Sequence, residues 1–156
     1  MTSILMSEQD KLDQELRDQD KLIEGTPTSQ SFYLNIASGA VLPRANRTGG
    51  THIRISEDFK TFRIIFDNST FKMTDEKLEK IKKFTFSKLP QLAKISQEQT
   101  PDYLNRYALE GTYSSIKIKV GGLFLKIDVN ACLHGLGLQH KLCSDFINKV
   151  KKFIME

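Results

Sequence analysis

The sequence predicts an α+β fold: a twisted antiparallel sheet of about five strands with helices packed on one face, preceded by a polar N-terminal helix. Three observations carry this. Short runs at 52–56, 62–67, 115–120 and 123–129 alternate apolar and polar residues with the period of two that a half-buried strand requires. Longer runs, from Thr74 and from about Leu138, repeat their apolar residues at helical spacing instead. A Gly121-Gly122 pair joins two of the strand runs, and such a pair is a strong signal for a tight antiparallel hairpin.

Residues 4–24 read as a helix with few apolar positions, namely Leu5, Leu12, Leu16 and Ile23. A helix with so little to bury reads as an arm or a partner-binding segment. The expected organisation is therefore an acidic helical arm over 1–24 and one basic α+β domain over 25–156. Gly25–Gln30 is a turn or linker, followed by a strand around Ser31–Ala37 and a loop, Pro43–Gly50, that carries Arg44 and Arg47. Two strands, His52–Ser56 and Phe62–Asp67, follow. Thr74 is the N-cap of the next helix, with Asp75 and Glu76 in the first turn where the helix dipole favours acids. Pro90 is expected to end or kink that helix. Thr100-Pro101-Asp102 opens a further helix that Gly111 closes. The Gly121-Gly122 hairpin and a C-terminal helix complete the chain. Ile53-Arg54-Ile55 and Ile116-Lys117-Ile118 open similar stretches, a pattern compatible with two β-β-α units.

Composition narrows the function. A chain of 156 residues, 39% hydrophobic and 27% charged, is long enough for one core without disulfide or metal staples. No apolar run is long enough to span a bilayer, and the first residues lack a basic signal region, so a cytoplasmic, reducing compartment is expected. Charge is unevenly placed: residues 1–24 hold seven acids against three bases, which leaves +8 on residues 25–156 of a chain whose total is +4.

Strand alternation assigns these charges to a face. With Ile53, Ile55, Ile116, Ile118, Val120, Leu125 and Ile127 turned to the helices, the opposite face receives the bases Arg54, Arg63, Lys117, Lys119 and Lys126, the ring of Phe124 and two acids, Asp67 and Asp128, with Arg44 and Arg47 on an adjoining loop. Cations that replace condensed counterions, beside a ring that stacks on bases, suit a single-stranded DNA or RNA backbone. The same lysines also serve a plainly solvated or protein-contacting sheet face.

Cys132, His134, His140 and Cys143 fall within twelve residues and could make a Cys2His2 zinc site, although the spacing matches no common finger. Cys143 also lies within the apolar arc of its helix, where a buried thiol is ordinary. No nucleophile elbow, phosphate-binding loop or metalloprotease motif is present, and no cofactor is implied. The expectation is a non-enzymatic nucleic-acid-binding module, with acid-rich residues 1–24 either folding back over the cationic face as an electrostatic competitor or recruiting a partner. The alternative is a protein-binding accessory, such as an inhibitor, an immunity-type protein or a chaperone. The order helix, three strands, helices, two strands, helix is similar to that of type III secretion chaperones, from which the basic body departs. Self-association stays open, and no membrane partner is expected.

Overall fold

A computed structural model describes residues 7–25, 32–40, 50–98, 112–128 and 137–156. Its elements are α1 (Glu8–Gly25), β1 (Tyr33–Ala40), β2 (Thr51–Ser56), β3 (Thr61–Phe66), β4 (Ser69–Thr70), α2 (Asp75–Glu98), β5 (Thr112–Val120), β6 (Leu123–Asp128) and α3 (Gly137–Met155). All strand pairs are antiparallel, in the order β4-β3-β2-β1-β5-β6. The α+β class and the N-terminal helix are as expected, and the sheet has six strands rather than five. The sixth, β4, follows from Asp67 and Asn68, whose φ values of 52° and 59° make the tight turn that folds Ser69-Thr70 back on β3. The helix expected at 100–111 and the Arg44/Arg47 loop lie outside the described residues.

Strand β1 is the centre of the sheet, with the β2–β3 hairpin on one side and the β5–β6 hairpin on the other. Each hairpin is followed by a helix, so the two β-β-α units exist. Both β2 and β5 run antiparallel to β1, yet their hairpins grow outward in opposite directions. With both helices on one face, no rotation superposes the units. The similar Ile-x-Ile stretches reflect a shared need for alternation rather than a structural repeat.

Register explains the core. Ile64, Ile53, Ile36, Ile116 and Ile127 are successive cross-strand partners, a row of isoleucines across five strands, each at most 1% exposed. Branched side chains stacked across a pleat are the unit of sheet stabilisation. Helix α2 covers this row with Ile81, Leu92 and Ile95, and α3 covers it with Cys143, Phe146, Val150 and Ile154. Stacked rings of Phe84 and Phe146, with centroids 5.6 Å apart, join the two helices.

Caps and ties hold this layer in place. The Lys77 amide donates to Thr74 Oγ1 at 3.2 Å, the expected N-cap. Lys77 Nζ donates to the Ile154 carbonyl at 2.6 Å, placing a cation at the carbonyl end of α3. Glu57, in the β2–β3 turn, accepts from the Phe32 amide at 2.9 Å and from Lys82 Nζ at 3.0 Å. That hydrogen bond to Glu57 holds the Lys82 ammonium above its ordinary pKa. Pro90 does not end α2, which runs through it to Glu98. Pro90 and Phe86, the residue four positions before it whose carbonyl loses its amide partner, are both exposed, while Leu92 and Ile95 anchor the following turn in the core.

Candidate nucleic-acid interface

The other face of the sheet carries a second row, offset by one residue from the isoleucines. Arg63 opposes Arg54, Arg54 opposes Asn35, Asn35 opposes Lys117, and Lys117 opposes Lys126. Four cations and one amide thus cross five strands in line, with steps of about 4.8 Å between strands. A parallel row two residues along consists of Thr61, Ser56, Tyr33, Lys119 and Phe124. All six predicted residues of the described strands, Arg54, Arg63, Lys117, Lys119, Phe124 and Lys126, share this face. Like charges directly opposite one another destabilise a sheet, so such a row calls for anions.

Those anions are supplied by α1, which lies over the face that the sequence reading left open. Arg54 is fully buried, at 0% exposure, between the sheet and the helix. Its Nε and Nη2 both stand 3.0 Å from Asp20 Oδ1, while Nη2 also donates to Gln19 Oε1 at 3.2 Å and Nη1 to Thr61 Oγ1 at 2.7 Å. Tyr33 donates its hydroxyl to the same Asp20 oxygen at 3.0 Å and accepts from Asn35 Nδ2 at 2.9 Å. Burial pushes the Tyr33 phenol well above its ordinary pKa. Arg63 pairs with Asp13, and the ammonium of Lys119, itself 3% exposed, donates to the Ile23 carbonyl in the last turn of α1. Helix α1 therefore crosses diagonally from β3, at Asp13, to β5, at Ile23.

The contact has a simple helical code. Asp13, Leu16, Asp20 and Ile23 stand at intervals of three, four and three residues, which puts them on one stripe. Leu16 and Ile23 are buried at 6% and 3% exposure, whereas Leu12 and Leu22 are exposed. Ser7 caps the helix by accepting from the Asp10 amide at 3.0 Å. Of the readings for residues 1–24, a free arm with little to bury is corrected and a fold-back over the cationic face is what α1 shows: two apolar and two acidic side chains seat it on the sheet. The sequence reading missed Asp13, Gln19, Asp20, Tyr33 and Asn35. Two signals could have found them, the acid-apolar stripe on α1 and the alternation of Leu34 and Ile36 with Tyr33 and Asn35.

Lys126 and Phe124, on the edge strand, remain exposed, and Lys117 is half-buried. Asn35 Oδ1 lies buried in the middle of the cationic row with no hydrogen-bond partner among the described residues. Of the zinc candidates, Cys143 is buried in the apolar core between α3 and the sheet, away from this face. Cys132 and His134 lie outside the described residues, as does the side chain of His140. Among the described residues no group of three His, Cys, Asp or Glu side chains could hold a metal ion. Comparison with protein-family models, curated proteins and solved structures finds no match. No described helix is long and apolar enough to cross a membrane.

His52 neighbours the row on β2. Burial is the main cause that lowers its pKa, and the Arg63 charge acts in the same direction. The unfolded chain then takes up a proton near pH 6.5 that the folded chain refuses, so stability is full above that pH and falls as pH drops through it. His52→Gln is expected to flatten this slope in urea unfolding followed between pH 7.5 and 5.5. An unchanged slope would assign the acid loss to other groups.

Proposed function

We propose that this chain is a non-enzymatic nucleic-acid-binding module, working in a reducing, cytoplasmic setting, that takes single-stranded DNA or RNA on the cationic face of its sheet. The observation that carries this reading is the register-aligned row Arg63, Arg54, Asn35, Lys117, Lys126, bordered by Tyr33, Lys119 and Phe124. A flexible phosphate chain has the charge to satisfy several cations in line, and flat rings at the border offer stacking surfaces to its bases. Lys126 and Phe124 form the point of first contact, since both are exposed while α1 lies over Arg54.

The test is the binding of a short oligothymidylate followed against salt. Affinity is expected to fall steeply as salt rises. In the Lys117→Gln, Lys126→Gln double variant the slope of log affinity against log salt should be shallower by about 1.4, because each single-strand phosphate contact contributes about 0.7. Binding indifferent to salt, or a slope that the double variant leaves alone, would remove the phosphate reading.

One observation favours a second reading, a stoichiometric protein-binding accessory. Leu22, Phe59, Leu123 and Phe124 are all at least 38% exposed and lie toward the end of the sheet that carries the β2–β3 and β5–β6 turns. A purified complex with another protein, with an absorbance ratio at 260 and 280 nm free of nucleic acid, would favour it.

A further inference from the structure

We infer that α1 is a releasable internal ligand of the cationic face, an acidic helix that nucleic acid must displace, so that the chain holds its own binding surface shut. This deepens the nucleic-acid reading above and rests on it. The two layers of the molecule are held by different physics. On the α2–α3 side the sheet is sealed by a contiguous apolar cluster. On the α1 side, among the described residues, the buried apolar contribution of the helix is confined to Leu16 and Ile23, and its other contacts with the sheet are polar: Asp20 on Arg54 and Tyr33, Gln19 on Arg54 and Thr61, Asp13 on Arg63, and the Ile23 carbonyl on Lys119. An element held by few apolar contacts opens at lower cost than the core elements around it.

Ions favour the open state as well. Arg54 and Lys119 are stripped of water beneath the helix, and a cation so placed is comfortable only while its acceptors stay in position. When α1 lifts, both cations regain solvent or meet phosphate, and Tyr33, hidden at 2% exposure, becomes a second ring beside Phe124. The face reads an acid at one helical position, an apolar residue three on, an acid four further on and an apolar residue three beyond that. A phosphate chain competes for the acid positions with higher charge density and forfeits the two apolar ones. Affinity in the intact chain is then the intrinsic affinity reduced by the fraction of molecules in which α1 is off.

Hydrogen exchange on the unmodified full-length chain tests this without any substitution. Saturating oligothymidylate is expected to speed exchange of the amides of 11–24 while those of α2 and α3 stay as they were. A full-length Asp13→Asn, Asp20→Asn variant should exchange rapidly over 11–24 with no ligand and bind the oligonucleotide about tenfold more tightly. Bound oligonucleotide that leaves α1 protected, together with unchanged affinity in the variant, would overturn the inference and leave the nucleic-acid reading standing with its contact elsewhere. Rapid exchange of α1 in the variant with no oligonucleotide binding would overturn the nucleic-acid reading, and the competition with it.

Discussion

Ile36→Ala is expected to lower the free energy of unfolding by about 4 kcal/mol, the cost of removing a large side chain from a closed core and leaving a cavity. Ile36 lies on the central strand, between Ile53 and Ile116, and is fully buried. Every element of the α2–α3 layer meets the row to which it belongs, so the loss should appear as one shift of the urea midpoint for the whole molecule. Leu16→Ala removes a side chain that is almost as buried, yet its effect is expected to be local. Its cost cannot exceed the free energy with which α1 is seated, because the helix lifts instead, and Arg54 and Lys119 are rehydrated when it does. The body should then keep its midpoint while the amides of 11–24 lose protection. Equal global losses in the two variants would mean that α1 belongs to the same cooperative unit as the core.

Arg54→Glu is the second large effect, and it separates the charge of the face from the presence of its cover. The substitution sets a carboxylate at a position with no exposure against Asp20, itself only 21% exposed, a like-charge pair that solvent reaches poorly. The chain relieves it by releasing α1, so exchange over 11–24 should be as fast as in the variant lacking the two helix acids. The uncovered face, however, now carries an acid in the middle of its cationic row. Oligonucleotide affinity should fall below that of the unmodified chain, with a salt slope shallower by at least about 0.7. Were nucleic acid to bind elsewhere on the molecule, releasing α1 by this route would leave affinity unchanged.

Much of the architecture was legible because alternation and helical periodicity are local properties. Arg54, Lys117 and Lys126 could be placed on one face from their positions between Ile53 and Ile55, Ile116 and Ile118, and Leu125 and Ile127. That they form a straight row could not, since register between β1 and its neighbours depends on pairings that join residues 35, 54 and 117. Helix α1 was legible as a helix whose acids could fold back over the cationic face, but the side chains that seat it there were not legible. Its net charge and few leucines suggested solvation, and Leu12 drew attention although it faces outward. The stripe of Asp13, Leu16, Asp20 and Ile23 has meaning only once a cationic surface lies opposite. Of the two effects expected of Pro90, the end of the helix is not seen: Pro90 and Phe86 both lie on the exposed side of α2, where solvent is at hand for the turn that lacks an amide. The two-residue β4 rests on a turn of Asp67 and Asn68, a pair less distinctive than Gly121-Gly122.

The most direct measurement places the two opposite charge changes side by side: oligothymidylate affinity against salt for the Asp13→Asn, Asp20→Asn chain and for the Arg54→Glu chain, each beside the unmodified protein. A cationic row covered by its own acidic helix predicts tighter binding in the first and weaker, less salt-dependent binding in the second, although α1 is released in both. Affinities that move together, or that do not move at all, would contradict it.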